Sequence, residues 1–236
     1  MQDKHISSAF DRDLEALQAL IMKMGGLVEE QVRDAAMALT ERDQELADEV
    51  RSKDETVDLL EEDINQEAAR VIALRAPVAT DLRTVLSVMK ISGNLERVGD
   101  YAKNMAKRTT VLAEMPNVDG ASRAIRRMAR EVELMLKDAL DAYIQRDAEL
   151  AQDVRDRDAE IDQMYNTLFR EFLTHMMEDP RNISACMHLH FIAKNTERMG
   201  DHATSIAEQV IYLVSGEMPV EPRVKGDKTA FDVLEE

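Results

Sequence analysis

Four pairs of carboxylates recur along this 236-residue chain with one i, i+4 spacing: Asp54/Asp58, Glu96/Asp100, Asp158/Asp162 and Glu197/Asp201. On a helix that spacing sets both acids of a pair on one face, with Cβ atoms about 5–6 Å apart. Like charges held so close raise one another's pKa unless a cation neutralises them. Carboxylate oxygens without thiols or several imidazoles suit Mg, Ca, Mn or Fe, and Zn less typically. The chemistry on offer is therefore divalent-cation binding. The plain alternative is a solvated acidic face partly compensated by Arg97 and Arg198. Acids are 47 of the 236 residues, so about nine such spacings arise by chance. What distinguishes these four is that they fall at matched places in two copies of one pattern.

The two copies are visible directly. Arg42-Asp43-Gln44-Glu45-Leu46-Ala47 returns as Arg146-Asp147-Ala148-Glu149-Leu150-Ala151, an offset of 104 that also relates Asp54 and Asp58 to Asp158 and Asp162. Asn94-Leu95-Glu96-Arg97-Val98-Gly99-Asp100-Tyr101-Ala102 returns as Asn195-Thr196-Glu197-Arg198-Met199-Gly200-Asp201-His202-Ala203, an offset of 101. The breakers that stand out are Pro77, Pro116, Asp179-Pro180, Gly216 and Pro219, and between them the apolar residues keep a 3.6-residue period. Leu46, Val50, Val57, Ile64, Ala68 and Val71 share one arc, and Ile91, Leu95, Val98, Ala102 and Met105 another. The pattern predicts helices near 8–40, 43–75, 78–114, 119–145, 147–178 and 181–215, with Asp43 and Asp147 as N-caps. The expected fold is all-α: two tandem antiparallel three-helix bundles related by internal duplication, over 8–115 and 119–215. Residues 217–236 are expected to form a loose tail.

Helix geometry then tests the acids. At 100° per residue, Glu96 and Asp100 continue the stripe of Leu82, Val85, Leu86 and Met89, and Glu197 and Asp201 that of Ile183, Cys186, Met187 and His190. Asp54 and Asp58 lie at the edge of their helix's apolar arc, beside Val57. With the second and third helices antiparallel, four carboxylates converge per unit. Gly99 and Gly200 sit inside helices, where glycine costs about 1 kcal/mol relative to alanine. Their recurrence implies that a neighbouring helix or a bound metal comes close to the backbone there.

Composition removes other classes. Lys+Arg 30 against Asp+Glu 47 gives a net charge of −17, which carries no footprint for nucleic acid or for an anionic bilayer. Gly 8, Pro 5, no Trp and 4% aromatics disfavour strand-rich folds. No apolar run is long enough to span a membrane, and Met1-Gln2-Asp3-Lys4-His5 resembles no signal peptide. A cytoplasmic protein without direct membrane insertion is expected. The single Cys186, among Ala185, Met187 and Ile183, reads as a buried apolar residue rather than a nucleophile. His188, His190 and His202 have no histidine counterparts, and no Glu-x-x-His pair, Gly-rich phosphate loop or Ser/His/Asp set is present.

Pro77-x-x-x-Asp81-Leu82-Arg83, Leu95-Glu96-Arg97-Val98-Gly99-Asp100-x-Ala102 and Thr196-Glu197-Arg198-Met199-Gly200-Asp201-x-Ala203 together resemble the PhoU family of phosphate-transport regulators. The resemblance covers residues 8–215, both repeats in order. It implies two similar three-helix bundles. It further implies multinuclear metal sites, as in some members, of Fe, Zn, Mn or Mg on Asp54, Asp58, Glu96, Asp100, Asp158, Asp162, Glu197 and Asp201. Arg97, Gly99, Arg198 and Gly200 complete the motif as structural residues. By the same resemblance the protein is a non-enzymatic negative regulator of phosphate uptake and of the phosphate-starvation response. Its implied partners are the ATPase subunit of the phosphate ABC transporter and a sensor histidine kinase. It is expected to be a homodimer recruited by them to the inner face of the membrane. Two departures are plain: Asp179-Pro180-Arg181-Asn182 replaces the Asp-Leu-Arg entry in the second repeat, and Thr196 replaces Leu95. A carboxylate-bridged metalloenzyme and a purely structural helical adaptor are the rival readings of the same acids.

Overall fold

A computed structural model describes the backbone of residues 2–219 and the side chains of residues 9–219. Among them are six α-helices and no strand: α1 (Gln2–Glu41), α2 (Gln44–Arg75), α3 (Thr80–Leu112), α4 (Ala121–Gln145), α5 (Ala148–Glu178) and α6 (Ile183–Ser215). All but α1, which begins earlier than its apolar period suggests, start and stop within a few residues of the expected places. The tail expected over 217–236 lies, beyond residue 219, outside the described residues.

Local chemistry sets the joints. Asp43 Oδ1 accepts from the Leu46 N–H at 3.0 Å, and Asp147 Oδ1 from the Glu149 and Leu150 N–H groups at 2.9 and 3.0 Å. Each carboxylate satisfies orphan donors of the following helix. The residues before them, Arg42 and Arg146, take φ of 57° and 53°, so the chain reverses between helices in two residues. Arg42 also donates to the carbonyls of Leu112, Met115 and, at 2.9 Å, Ala113, closing the C-terminus of α3. At the divergent entry to α6, Asp179 accepts from the Arg181 N–H at 3.0 Å and Pro180 opens a single 3-10 turn.

Helices α1, α2 and α3 pack on one another, as do α4, α5 and α6; the units join through α1 against α4 and α3 against α6. Lys53 meets Glu30 and Arg70 meets Asp13, so α1 and α2 run antiparallel. Val57 of α2 faces Gly99 of α3, and Arg155 of α5 faces Glu208 of α6, again antiparallel. Across the units, Arg83 lies over Tyr212, Tyr101 beside His202 and Arg108 over Phe191. Helix α3 therefore runs antiparallel to α6, which sets Glu96 level with Asp201 and Asp100 level with Glu197. The anticipated stripes of α2 and α3 supply one continuous core with Leu17, Ile21, Met24, Val28 and Val32 of α1 and Ile125, Met128, Val132 and Leu136 of α4. Each such side chain contributes about 1.5–3 kcal/mol by leaving water.

Candidate functional site

In the first unit the four acids meet unequally. Asp54 is 2% exposed, whereas Asp58 one turn on is exposed and Glu96 and Asp100 are half-buried. Antiparallel packing of α2 on α3 brings them within electrostatic reach. Partial loss of water around Asp58 first, then the charge of Asp54, pushes its carboxyl up, with Lys103 opposing and Asp100 adding to the rise. Burial and then Asp100 push Glu96 up, against Arg97. The chain supplies its own cations here. Lys103, one turn beyond Asp100, donates from Nζ to Asp54 Oδ2 across the helix pair and lies 3.9 Å from Asp100 Oδ1. Arg97 lies 3.5 Å from Glu96 and 3.7 Å from Asp100.

The second unit buries the corresponding acids more deeply. Asp158, Asp162 and Glu197 are 2%, 3% and 5% exposed, and Asp201 is half-buried. Lys194 Nζ is 2.9 Å from Glu197 Oε1, while the buried Oε2 has no hydrogen-bond partner. Burial pushes the Glu197 carboxyl up, Lys194 offsets part of the rise, and Asp201 and Asp162 add to it. Asp158, Asp162 and Asp201 each have partners of their own. Among the described residues, no three His, Cys, Asp or Glu side chains stand as a ready-made ligand set for a metal ion.

A divalent ion fits the two clusters differently. In the first, Asp54, Glu96 and Asp100 already have an ammonium or guanidinium within 4 Å, so the donors do not fit a further cation. In the second, Lys194 likewise holds Glu197 Oε1, but the buried Oε2 has no partner, and that orphaned oxygen among carboxylates suits a hard cation.

Several expectations need refinement. The stripe that the acids extend follows the edge of the core, since Leu86, Ile183 and Met187 are exposed. Asp54 lies inside that core rather than at its rim. The two motif glycines differ: a Cβ on Gly99 would stand 3.0 Å from Gln31 Oε1, a close approach by α1, whereas on Gly200 it would meet Ile161 Cγ2 at an ordinary 3.4 Å. Arg198 lies 3.4 Å from the Tyr101 hydroxyl, so it ties α6 to α3. His202 Nδ1 lies 2.8 Å from Asn94 Oδ1, so the ring faces α3. Cys186 is buried, and burial raises its thiol pKa, as expected of an apolar role. An outer groove between α1 and α2, about 730 Å³ and lined by Ala16, Leu20, Asp63 and Arg70 among others, contains none of the eight acids.

Three residues of the clusters escaped the repeat search. Lys103 and Lys194 correspond to Thr204 and Gly93, so duplication does not point to them; their i+3 spacing from Asp100 and to Glu197 does. Gln31 was legible as a polar residue on the apolar stripe of α1. It is fully buried, and neither side-chain polar atom has a partner.

A duplicated, antiparallel helical bundle with one paired-acid motif on the third helix of each unit is a distinctive class. Comparison with known proteins places the chain within it: the PhoU domain matches residues 21–109 and 125–210. The chain belongs to the PhoU family. It is 46% identical over 230 residues to the phosphate-specific transport system accessory protein PhoU homolog of Rhizobium meliloti, covering 98% of this chain and 97% of that protein. The homolog of Zymomonas mobilis is 48% identical over 222 residues, covering 94% and 93%. The crystal structure of PhoU from Pseudomonas aeruginosa superposes with a TM-score of 0.86 at 41% identity, covering 88% of this chain and all of that one. That of the phosphate transport system regulatory protein PhoU from Streptococcus pneumoniae gives 0.83 at 31%, covering 89% and 99%.

Proposed function

We propose that this protein is a non-enzymatic regulator of phosphate uptake that represses the phosphate-starvation response when phosphate is plentiful. It acts by protein contacts, linking the ATPase subunit of the phosphate ABC transporter to a sensor histidine kinase. It works in the cytoplasm as a homodimer, and those partners bring it to the inner face of the membrane. The observation that carries this reading is kinship over the whole chain, 46% identity across 98% of its length, with a protein named as an accessory of phosphate-specific transport. Among the described residues no helix is long and apolar enough to cross a membrane. Leu86 and Val111 of α3 and Met187 and Phe191 of α6 are exposed, as residues that meet a partner protein must be.

The second acidic cluster fits a divalent cation such as Mg, Mn, Fe or Zn, and Asp158, Asp162, Glu197 and Asp201 would hold it. The charge of such an ion would offset the cost of burying these carboxylates. The chain's own contribution is Lys194, which holds Glu197 Oε1 and leaves the buried Oε2 without a partner.

A deletion strain carrying a phosphate-starvation reporter tests the regulatory role. At high phosphate the reporter should be switched on, and the wild-type gene should silence it again. An unchanged reporter would overturn the reading. Co-purification of the transporter ATPase and the kinase with the tagged protein, from cells grown in high and low phosphate, tests the linkage itself.

A further inference from the structure

Repeats that match residue for residue at the acids differ at the cation beside them. Lys103 stands where the second repeat has Thr204, at the offset of 101 that relates Glu96 to Glu197. Thr204 is buried and donates from Oγ1 to the Gly200 carbonyl of its own helix at 3.0 Å. The Lys103 stem instead crosses from α3 to α2, and its ammonium donates to Asp54.

We propose that Lys103 is the resident cation of the first cluster, its ammonium on Asp54 and beside Asp100 holding the place a divalent ion would take. Several observations converge on this. Asp54 is 2% exposed, and a buried carboxylate must be paired or protonated. Lys103 is 43% exposed at its side chain, so the stem spans from solvent to a buried acid, an arrangement lysine adopts readily. Arg97 holds Glu96 and Asp100 from the solvent side. Three of the four acids thus have a counter-charge from the chain itself, and Asp58, the fourth, is exposed. A divalent ion needs several oxygen ligands at once, and here it would have to displace an ammonium to reach the buried Asp54. This half of the molecule is closed by covalently attached charge, which neither chelators nor metal supply can alter.

The test uses the full-length protein stripped with chelator, then melted with and without Mg²⁺ or Mn²⁺. Lys103→Thr installs the second repeat's residue. It should lower Tm in chelator, and the divalent ion should restore it, by about 5–10 °C at a concentration about a hundredfold above Kd. Adding Asp54→Asn should abolish that restoration, and Lys103→Arg should behave as wild type. In the wild-type background, Glu96→Gln with Asp100→Asn should leave any divalent response unchanged, a comparison that decides the matter even where Lys103→Thr fails to fold. A Lys103→Thr protein no more responsive than wild type would overturn the proposal. So would loss of the wild-type response in Glu96→Gln/Asp100→Asn.

Discussion

The two units share a scaffold and differ in how each manages buried charge. Lys53 on α2 pairs with Asp34 on α1 at 3.6 Å, and Arg157 on α5 pairs at 2.5 Å with Asp138 on α4, at the same offset of 104. The Asp43 and Asp147 caps match as well. Around the acids the match ends. The first unit leaves Asp58 exposed and brings Lys103 in from solvent, while the second buries Asp162 and pairs Glu197 with a lysine of its own helix. The first places Gln31 in the core where the second has Met135, and it exposes Arg51 where the second buries Arg155. Apolar packing tolerates few changes after a duplication, because every methylene has neighbours. Charge can be balanced from several directions, so the same carboxylates acquired different partners.

The matched arginines give the largest expected contrast. Arg155 is 8% exposed and donates to Glu208 Oε1 at 3.2 Å and Gln152 Oε1 at 3.1 Å, whereas Arg51 is exposed and meets Asp48 one turn away. Removing a buried guanidinium strands its partner, so Arg155→Ala should cost about 2–3 kcal/mol and lower Tm by about 4–12 °C. Arg51→Ala should stay within about 0.5 kcal/mol. Equal effects in paired melting experiments would show that burial does not separate the two positions.

Exchanging the residues at the Gln31 position should have opposite effects in the two units. Gln31 buries an amide with no partner, and a buried unsatisfied group costs about 1–3 kcal/mol. Gln31→Met, which keeps the shape, should raise Tm by several degrees; Met135→Gln should lower it by a similar amount. A drop on Gln31→Met would mean that the amide is held for a reason other than packing.

A smaller contrast is one of pH. Burial holds Glu197 above the ordinary carboxyl range more than Lys194 lowers it. The native state then binds this proton more tightly than the unfolded chain. The stability it brings is present at low pH and is lost as pH rises from about 4.5 through the folded pKa. Glu197→Gln removes that loss, so its Tm relative to wild type should be more favourable at about pH 8 than at about pH 5.5. Glu96 is shifted in the same direction but is half-buried beside Arg97, so Glu96→Gln should show the same trend more weakly. A Glu197→Gln advantage independent of pH would contradict the burial argument.

These contrasts also mark what could be read without coordinates. Helix number, the Asp43 and Asp147 caps and the pairing of units were legible, because period and repeat offset are properties of the sequence. The acids were legible because they recur. Their neutralisation was not, since it depends on Lys103 reaching a residue 49 positions earlier, and a repeat search discards a lysine matched by threonine. The depth of Asp54 was missed for a related reason. Helix azimuth places a residue on a rim, but only the neighbouring helix decides whether that rim is covered.

The motif glycines provide the finest comparison and the smallest effect. Alanine in a helix interior is about 1 kcal/mol better than glycine, so each position begins with that potential gain. At Gly200 the new methyl would meet Ile161 and Val132 side chains at 3.4–3.7 Å, ordinary contact that adds packing. Gly200→Ala should therefore raise stability by about 0.5–1 kcal/mol, or about 1–4 °C in Tm. At Gly99 the methyl would stand 3.0 Å from Gln31 Oε1 and 3.6 Å from Asp54 Oδ1. It would press on an amide that has no polar partner, which cancels the gain. Gly99→Ala should be close to neutral or slightly destabilising, and in a Gln31→Met background, where the opposing atom is an apolar sulfur or methylene, part of the helix gain should return. A Gly99→Ala protein as stable as Gly200→Ala in the wild-type background would show that the close approach of α1 has no energetic weight.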